Sequence, residues 1–208
     1  MRIAVFVSGG GTNLQAIIDK IKDGYLKDIE IGLVLSSSPD AYALTRAADN
    51  KIPSVVKRSK DYPSFDEWDE DVLKAVEEAD CELIVLAGYL SLLGPKTVKK
   101  FSNKIINIHP ALIPAFCGEG MYGIRPHVAA LARGVKVSGA TVHFVNEEYD
   151  SGPIILQKTV DVLPDDTPEV LQQRIMKECE QVILPKAIRL IADGLVTIEN
   201  NIAYVKEQ

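Results

Sequence analysis

The chain has 208 residues, of which 47% are hydrophobic and 25% are charged, and its formal net charge is −6. This length accommodates one α/β domain with a sizeable core, or at most two small domains, and the composition is that of an ordinary globular protein. The acidic balance argues against nucleic acid as the main partner.

Apolar strand patterns alternate with amphipathic helix patterns through the first two thirds of the chain. The predicted strands cover about residues 1–8, 29–36, 54–56, 83–87 and 104–109. Between them, helices are predicted from Thr12, from the Ser37–Asp40 turn and cap to Ala48, from Phe65 to Ala79, and from near Pro95. This alternation indicates a mostly parallel twisted sheet with helices on both faces and right-handed crossovers, and its amino-terminal half is Rossmann-like.

The last third has shorter connections and predicts a mixed edge of the sheet. An irregular loop at 110–123 precedes a helix at 126–132 and strands at 139–145 and 154–162. One long helix is predicted over Pro168 to Ile191, with a bend near Pro185, and a small hairpin over 197–205. With no repeat or linker visible, we expect a single domain over 1–208, with a phosphate-binding half at about 1–100 and a catalytic half at about 101–208.

The spacing of the cysteines and the length of the apolar runs indicate the cellular compartment of the protein. Cys81, Cys117 and Cys179 are far apart and form no CxxC pair, which predicts reduced thiols and no structural zinc site. The amino terminus enters a strand without a signal-peptide pattern, and no apolar run reaches the roughly 18 residues of a membrane helix. We therefore expect a cytoplasmic protein with no membrane partner.

The strongest candidate site is the strand end at Asn107 and His109. Side chains alternate along a strand, so these two point to one face while Ile106 and Ile108 point to the other. Pro110 then ends the strand. Asp150 lies about forty residues later on a Gly-Pro loop; alone it is the pattern of an Asx turn. If Asp150 reaches His109, the three side chains suit acyl chemistry.

Loops that follow parallel strands share one edge of a sheet, where α/β proteins bind ligands. Four irregular segments qualify, at 9–13, 88–94, 109–123 and 146–153. In the first, three glycines precede Thr12 and Asn13 at a helix start, a pattern that favours phosphate binding over a simple tight turn. The pattern is neither a Walker A loop nor a complete GxGxxG motif.

Other polar and apolar positions have two readings. His127 and His143 match no standard zinc spacing, so we expect no metal, and we expect His143 to be a buried, hydrogen-bonded histidine beneath the site. Glu180 lies on a helix dense in polar residues, where a solvated face is the default. The segment Tyr89 to Leu93 is either core or the lining of a pocket for a flat heterocycle.

Five motifs occur in order along the chain: VSGGGTNLQAI at 7–17, LAGYL at 86–90, NIHPALIP at 107–114, GATVHFV at 139–145 and DSGP at 150–153. Over essentially its whole length the chain thereby resembles the phosphoribosylglycinamide formyltransferase (glycinamide ribonucleotide transformylase) family. The resemblance implies formyl transfer from 10-formyltetrahydrofolate, as co-substrate, to the glycyl amine of a ribonucleotide in purine synthesis. We expect small-molecule substrates, no metal, and a monomer or homodimer.

The resemblance also implies roles for individual residues. It assigns catalysis to Asn107, His109 and Asp150, and substrate phosphate and ribose to Gly11, Thr12, Asn13 and Glu180. It places the folate at Tyr89, Leu90, Ser91, Leu92, Leu93, Asn107 and Val145. The chain departs from the family pattern at Ser91 and Phe65, where basic residues are usual, and over Phe116 to Gly123.

For the chemistry we expect Asn107 and a protonated His109 to stabilise the oxyanion that forms on the formyl oxygen. We expect the carboxylate of Asp150 to raise the pKa of His109 and to assist proton transfer. The alternatives are formyltetrahydrofolate hydrolase or another folate-dependent formyltransferase, such as methionyl-tRNA formyltransferase. A nicotinamide-dependent oxidoreductase and a non-catalytic nucleotide-binding module are more distant alternatives.

Overall fold

The computed structural model of the protein describes residues 1–206. Its strands are β1 (Arg2–Val7), β2 (Glu30–Ser36), β3 (Ser54–Val56), β4 (Leu83–Leu86), β5 (Ile105–His109), β6 (Val137–Phe144), β7 (Ile154–Asp161), β8 (Val196–Glu199) and β9 (Ile202–Val205). Its α-helices are α1 (Thr12–Lys22), α2 (Tyr42–Asp49), α3 (Phe65–Glu78), α4 (Pro95–Lys100), α5 (Arg125–Arg133), α6 (Pro168–Ile175) and α7 (Gln181–Ala192).

Seven of the strands form one sheet in the order β3-β2-β1-β4-β5-β6-β7, and β8 pairs with β9 in a separate hairpin. Strand β1 is parallel to both β2 and β4, and β2 is parallel to β3. Strand β7 is antiparallel to β6. The predicted α/β fold, with a mostly parallel sheet and a mixed carboxyl-terminal edge, is confirmed.

The chain forms two compact units, one ending at Ile106 and the other beginning at Asn107. In the first unit, β1 is apolar throughout Ile3–Val7 and all five of these residues are 0% exposed. Continuous burial of this kind is expected of a parallel strand covered on both faces. In the second unit, α6 and α7 pack on β6 and β7.

A buried carboxylate organises one corner of the first unit. Asp69 of α3 is 0% exposed, and it accepts hydrogen bonds from the N–H of Lys96 at 2.7 Å, the N–H of Thr97 at 3.2 Å and the hydroxyl of Thr97 at 2.5 Å. It therefore caps the start of α4 from another helix. A Cβ on Gly94 would lie 2.0 Å from the Asp69 carboxyl carbon, so glycine is required where α4 begins.

Two details of the predicted helices are wrong. The start of α2 has no side-chain cap, since its N-cap is Ala41 and not Asp40. The predicted long carboxyl-terminal helix is interrupted by a π-helical turn at Met176–Glu180, while Pro185 lies inside α7. A π-turn adds one residue to the helical turn and changes the direction of the side chains within it. As a result both Cys179 and Glu180 are buried.

Among residues 1–206, no helix combines the length and the apolar character needed to cross a bilayer.

The cap on α4 leads to a prediction about stability. Replacing Asp69 by alanine leaves the N–H groups of Lys96 and Thr97 and the Thr97 hydroxyl without their acceptor, so we expect the free energy of unfolding to fall by about 2–4 kcal/mol. Replacing Glu70, an exposed residue whose carboxylate pairs with Lys96, should cost about 1 kcal/mol or less. Urea denaturation of both variants measures the difference, and equal losses would contradict the capping role of Asp69.

Candidate active site

Asn107 and His109 lie on β5, whose other residues are apolar and buried. Ile105, Ile106 and Ile108 are at most 5% exposed, whereas Asn107 is half-buried. These isoleucines anchor the strand. By the alternation of the pleat, Ile106 and Ile108 point to one face, and Asn107 and His109 point to the other. His109 ends the strand and is 3% exposed.

The carboxylate of Asp150 meets the imidazole of His109, as the sequence analysis requires. Asp150 Oδ2 lies 3.5 Å from His109 Nδ1, and Asp150 Oδ1 lies 3.5 Å from His143 Nε2. The side chain of Asp150 is 14% exposed. An acid and two imidazoles therefore share one largely buried space with the amide of Asn107.

The β6–β7 loop that presents Asp150 is held by its own side chains. Asn146 Oδ1 accepts hydrogen bonds from the N–H of Glu148 at 3.1 Å and from the hydroxyl of Ser151 at 3.0 Å. A Cβ on Gly152 would lie 1.9 Å from the carbonyl oxygen of Phe144. Only glycine permits this close approach, which brings the loop back along β6 and places Asp150 beside the strand end.

His143 supports the site from below, as predicted. It is 2% exposed, and its Nδ1 donates to the carbonyl oxygen of Phe144 at 2.8 Å. Its Nε2 lies 3.2 Å from Asn107 Nδ2 and 3.5 Å from Asp150 Oδ1. A register shift between Val142 and His143 leaves one additional residue of β7 opposite this part of β6.

Two main-chain groups complete the surroundings of His109 and Asp150, and no side-chain pattern in the sequence indicates either of them. The carbonyl oxygen of Phe116 accepts from His109 Nε2 at 2.9 Å. The N–H of Gly118 donates to Asp150 Oδ2 at 2.9 Å. Every residue carries these atoms, so the side-chain pattern contains no signal for them. The glycines of the 110–123 loop were the only available hint.

The electrostatics of the pair differ from the expectation for His109. Burial lowers the pKa of His109 below its ordinary value, and this effect exceeds the opposing influences of Asp150 and of the Phe116 carbonyl. The prediction that Asp150 raises the pKa above the ordinary value is therefore wrong for the net shift. Burial also opposes ionisation of Asp150, but His143, His109 and the Gly118 N–H together hold the pKa of Asp150 below its usual range.

His127 is a second buried imidazole near the pair. It is 0% exposed, and among residues 1–206 neither ring nitrogen has a hydrogen-bond partner. Burial, followed by the charge of His109, lowers the pKa of His127 to about 4. A neutral ring results at physiological pH. No group of three His, Cys, Asp or Glu side chains within residues 1–206 is arranged to hold a metal ion.

In the first unit, the glycine loop after β1 has one glycine that the turn requires and two that it does not. Gly11 has φ 69° at the N-cap of α1, and a Cβ there would lie 2.6 Å from the Cβ of Ala43. A Cβ on Gly9 or Gly10 would meet no atom within 4 Å. Since neither packing nor a positive φ explains Gly9 and Gly10, the open space beside them suits a ligand that approaches the backbone closely.

Helix α2 holds the carbonyl groups of this loop. The N–H of Ala43 donates to Gly9 O at 3.1 Å, and Arg46 Nε donates to Gly10 O at 2.8 Å. Arg46 also donates to Gln15 Oε1 at 2.9 Å. These hydrogen bonds hold the loop where it enters α1. The main-chain N–H groups in the first turn of a helix point along the helix axis, and this arrangement binds anions.

The segment after β4 is hydrogen-bonded to the same loop. Ser8 N donates to Gly88 O at 3.1 Å, and Leu90 N donates to Ser8 Oγ at 2.8 Å. Tyr89 and Leu93 are buried, and Tyr89 packs edge-on against Phe6. Leu90 and Leu92 are more than half exposed. Two of the four segments expected at the sheet edge therefore meet in the first unit, and the other two meet in the second.

Glu180 does not lie on a solvated face. It ends the π-helical turn and is 8% exposed, so the default reading of its helix is wrong. Val145, the remaining residue of the predicted folate site, directly follows β6 and is half-buried. Its role and that of Glu180 stay predictions.

Comparisons with known proteins agree on one family. A family model described as formyl transferase matches residues 1–188. A phosphoribosylglycinamide formyltransferase from Haemophilus influenzae is 39% identical over 204 residues, which is 98% of this chain and 93% of that protein. The structure of glycinamide ribonucleotide transformylase 1 from Symbiobacterium toebii has a TM-score of 0.93 at 40% identity and covers 100% of this chain and 94% of that one.

A more distant solved structure carries a different activity in its name. It is a formyltetrahydrofolate deformylase from Pseudomonas syringae, with a TM-score of 0.88 at 27% identity, covering 99% of this chain and 66% of that one.

The contact between Asp150 and His109 predicts a pKa change. The carboxylate raises the pKa of His109 against the effect of burial, so Asp150→Asn should lower the pKa of His109 further. Titration of the histidine rings by ¹⁵N NMR in the ligand-free protein measures this change. Asp165→Asn, which removes an exposed carboxylate, should leave the pKa of His109 as it is. An unchanged value in Asp150→Asn would mean that the two groups do not interact.

Proposed function

The chain belongs to the phosphoribosylglycinamide formyltransferase family, and we propose that Asn107, His109 and Asp150 carry out its reaction. That reaction transfers a formyl group from 10-formyltetrahydrofolate to the glycyl amine of glycinamide ribonucleotide, a step of purine biosynthesis. One observation carries the proposal: the carboxylate of Asp150 lies 3.5 Å from His109 Nδ1 within a buried cluster in which the Asn107 amide contacts His143.

The transfer proceeds by direct attack. The lone pair of the glycyl nitrogen forms a bond to the formyl carbon, and the carbonyl π electrons move to the oxygen, giving a tetrahedral intermediate. When the carbonyl re-forms, the bond to folate N10 breaks and its electron pair stays on that nitrogen. The attacking nitrogen loses a proton and N10 gains one, so the reaction needs no external acid or base overall.

Asn107 and His109 provide the donors for the oxyanion. Asn107 has two amide hydrogens, of which one is directed at His143 Nε2, and the second is available to the substrate. His109 Nε2 is engaged by the Phe116 carbonyl, so Nδ1 is the atom that faces the reacting group. In the neutral ring Nδ1 carries no hydrogen, so His109 donates to the formyl oxygen only after Nδ1 has taken up a proton from solvent, and the negative charge that develops on that oxygen favours this protonated form.

Asp150 assists the transfer of the proton between the two nitrogens. Its pKa is held below the usual range by the groups around it, so it enters the reaction as a carboxylate. A water molecule held by this carboxylate accepts a proton from the attacking amine and returns one to N10. The separation of 3.5 Å from His109 exceeds that of a normal hydrogen bond, which leaves the pair able to contact substrate or water instead of only one another.

The substrates are assigned to other segments by the same proposal. Gly11, Thr12 and Asn13 bind the nucleotide phosphate at the start of α1, and Glu180 binds the ribose hydroxyls. The folate pterin contacts the segment Tyr89 to Leu93, Asn107 and Val145. The open space beside Gly9 and Gly10 supports the phosphate assignment. The exposed apolar side chains of Leu90 and Leu92 support the folate assignment. Glu180 is withdrawn from solvent by a π-turn, a feature frequent at functional sites.

We further propose a single catalytic domain over 1–208 in a cytoplasmic enzyme that works as a monomer or homodimer without nucleic acid. The three cysteines are free and the charge is acidic, which support the location and the absence of a polyanionic partner.

A two-arm assay tests the function. The protein is incubated with 10-formyltetrahydrofolate, and deformylated folate is measured with and without glycinamide ribonucleotide. Formyl transfer predicts product only when the nucleotide is present, together with one equivalent of formylated nucleotide. Nucleotide-independent release of formate would instead identify a hydrolase, the activity named for the Pseudomonas syringae relative.

The role of Asp150 predicts a specific kinetic change. Asp150→Asn keeps the size of the side chain but removes the carboxylate that holds the water of the proton relay, so kcat should fall by about 10²–10⁴-fold while the Kd of the nucleotide changes less than about threefold. Steady-state kinetics and calorimetric titration measure the two quantities, with Asp165→Asn as the matched control. A kcat close to that of the parent protein would show that the carboxylate has no role in the mechanism.

The glycine loop predicts a binding defect without a folding defect. Because a Cβ on Gly10 meets nothing within 4 Å, Gly10→Val should leave thermal stability nearly unchanged but should block the approach of a phosphate. The double change Thr12→Leu with Asn13→Leu should act in the same direction. We expect KM for the nucleotide to rise by about tenfold or more, and Asp19→Ala on the exposed side of α1 should have no effect. An unaffected KM would refute the phosphate assignment.

A further inference from the structure

The loop after β5 contacts both members of the catalytic pair through its backbone. The Phe116 carbonyl accepts from His109 Nε2 at 2.9 Å, and two residues later the Gly118 N–H donates to Asp150 Oδ2 at 2.9 Å. We propose that Phe116–Gly118 is a backbone clasp that positions the imidazole and the carboxylate for proton transfer. This inference rests on the proposed function for its kinetic consequences but not for its structural ones.

The first contact of the clasp determines which nitrogen of His109 exchanges a proton. A carbonyl oxygen only accepts hydrogen bonds, so the ring nitrogen that faces Phe116 keeps its hydrogen in the neutral and the charged ring alike. Proton gain and loss are thereby confined to Nδ1. That atom is the one that faces Asp150, at 3.5 Å, so the clasp directs the titrating atom of the ring toward the carboxylate.

The second contact selects one oxygen of the carboxylate. The Gly118 N–H binds Oδ2, which is also the oxygen nearest to His109 Nδ1, while Oδ1 faces His143. Each oxygen of Asp150 thus has its own neighbour. Rotation of the carboxylate about the Cβ–Cγ bond would move both oxygens away from these neighbours. Outer groups that orient catalytic side chains in this way are typically worth about 10–100-fold in activity.

The clasp needs an unusual backbone. Phe116 has φ 52° and Gly118 has φ 92°, both in the left-handed region. These two turns allow a carbonyl and an N–H of the same short segment to face the same pair of side chains. A Cβ on Gly118 would meet no atom within 4 Å, so packing does not require glycine there. Glycine is needed at position 118 for its positive φ. A substitution as small as alanine should therefore change the backbone conformation and move the N–H.

Both contacts favour the charged forms of the pair, against the effect of burial. The Phe116 carbonyl raises the pKa of His109, and the Gly118 N–H lowers the pKa of Asp150. The other titratable groups that face Asp150 are His143 on β6, His109 itself and the thiol of Cys117, whose own pKa is raised by burial and then by Asp150. Each contact of the clasp therefore opposes the effect of burial on one member of the pair.

Kinetics of Gly118→Ala test the clasp. Alanine at φ 92° is strained, so the backbone should rotate and withdraw the N–H from Asp150. We expect kcat to fall about tenfold or more, KM for the nucleotide to stay within about twofold, and the acid limb of the kcat–pH profile to move up by about half a unit or more. The matched control is Gly120→Ala, at φ 81° in the same loop, which should retain the parent kcat and the parent acid limb. If Gly118→Ala and Gly120→Ala have the same kcat–pH profile, the proposal is wrong.

A ligand-free measurement separates failure of the clasp from failure of the proposed function. The ¹³C shift of the Asp150 carboxyl carbon is titrated by NMR in the parent protein and in a variant with an ester in place of the 117–118 amide, made with glycolic acid at position 118. The ester puts an oxygen in place of the N–H and leaves every side chain unchanged, so it also replaces Gly118→Ala if that variant does not fold. A higher pKa of Asp150 in the ester variant supports the clasp even in a protein that transfers no formyl group, and an unchanged pKa refutes it.

Discussion

The contact between a buried imidazole and a buried carboxylate is the constraint on which the rest of the site depends. His109 is 3% exposed and Asp150 Oδ2 lies 3.5 Å from its Nδ1. Burial disfavours the charged form of each group, and yet the chemistry needs a carboxylate that moves a proton and an imidazole that donates one. The Phe116 carbonyl opposes the effect of burial on His109, and the Gly118 N–H and His143 oppose its effect on Asp150.

The surrounding structure meets this constraint with groups from three segments. Strand β5 provides a rigid base because its isoleucines are fully or almost fully buried. Strand β6 contributes His143, which contacts Asp150 Oδ1 and the Asn107 amide. The irregular loop after β5 contributes main-chain groups at Phe116 and Gly118. Preorganised donors and acceptors of this kind cost little reorganisation when charge develops in the transition state.

Side-chain patterns predicted the parts of the structure that depend on side chains. Alternation along β5 placed Asn107 and His109 together, and the burial and hydrogen bonding of His143 followed from its Val-rich strand. The patterns did not predict the π-turn at Met176–Glu180, because the side chains there fit an ordinary helix equally well. They also missed the contacts of Phe116 and Gly118, which involve atoms common to all residues. The net direction of the His109 pKa was wrong because a sequence shows a charged neighbour but not the extent of burial.

The most direct test of the account is a structure with a stable mimic of the tetrahedral intermediate, in which the folate and the nucleotide are joined through a hydrated carbonyl. We predict that the oxygen corresponding to the formyl oxygen lies within about 3.2 Å of both Asn107 Nδ2 and His109 Nδ1, with the second hydroxyl facing Asp150. An oxygen that contacts neither Asn107 nor His109 would contradict the assignment of the oxyanion donors and with it the mechanism.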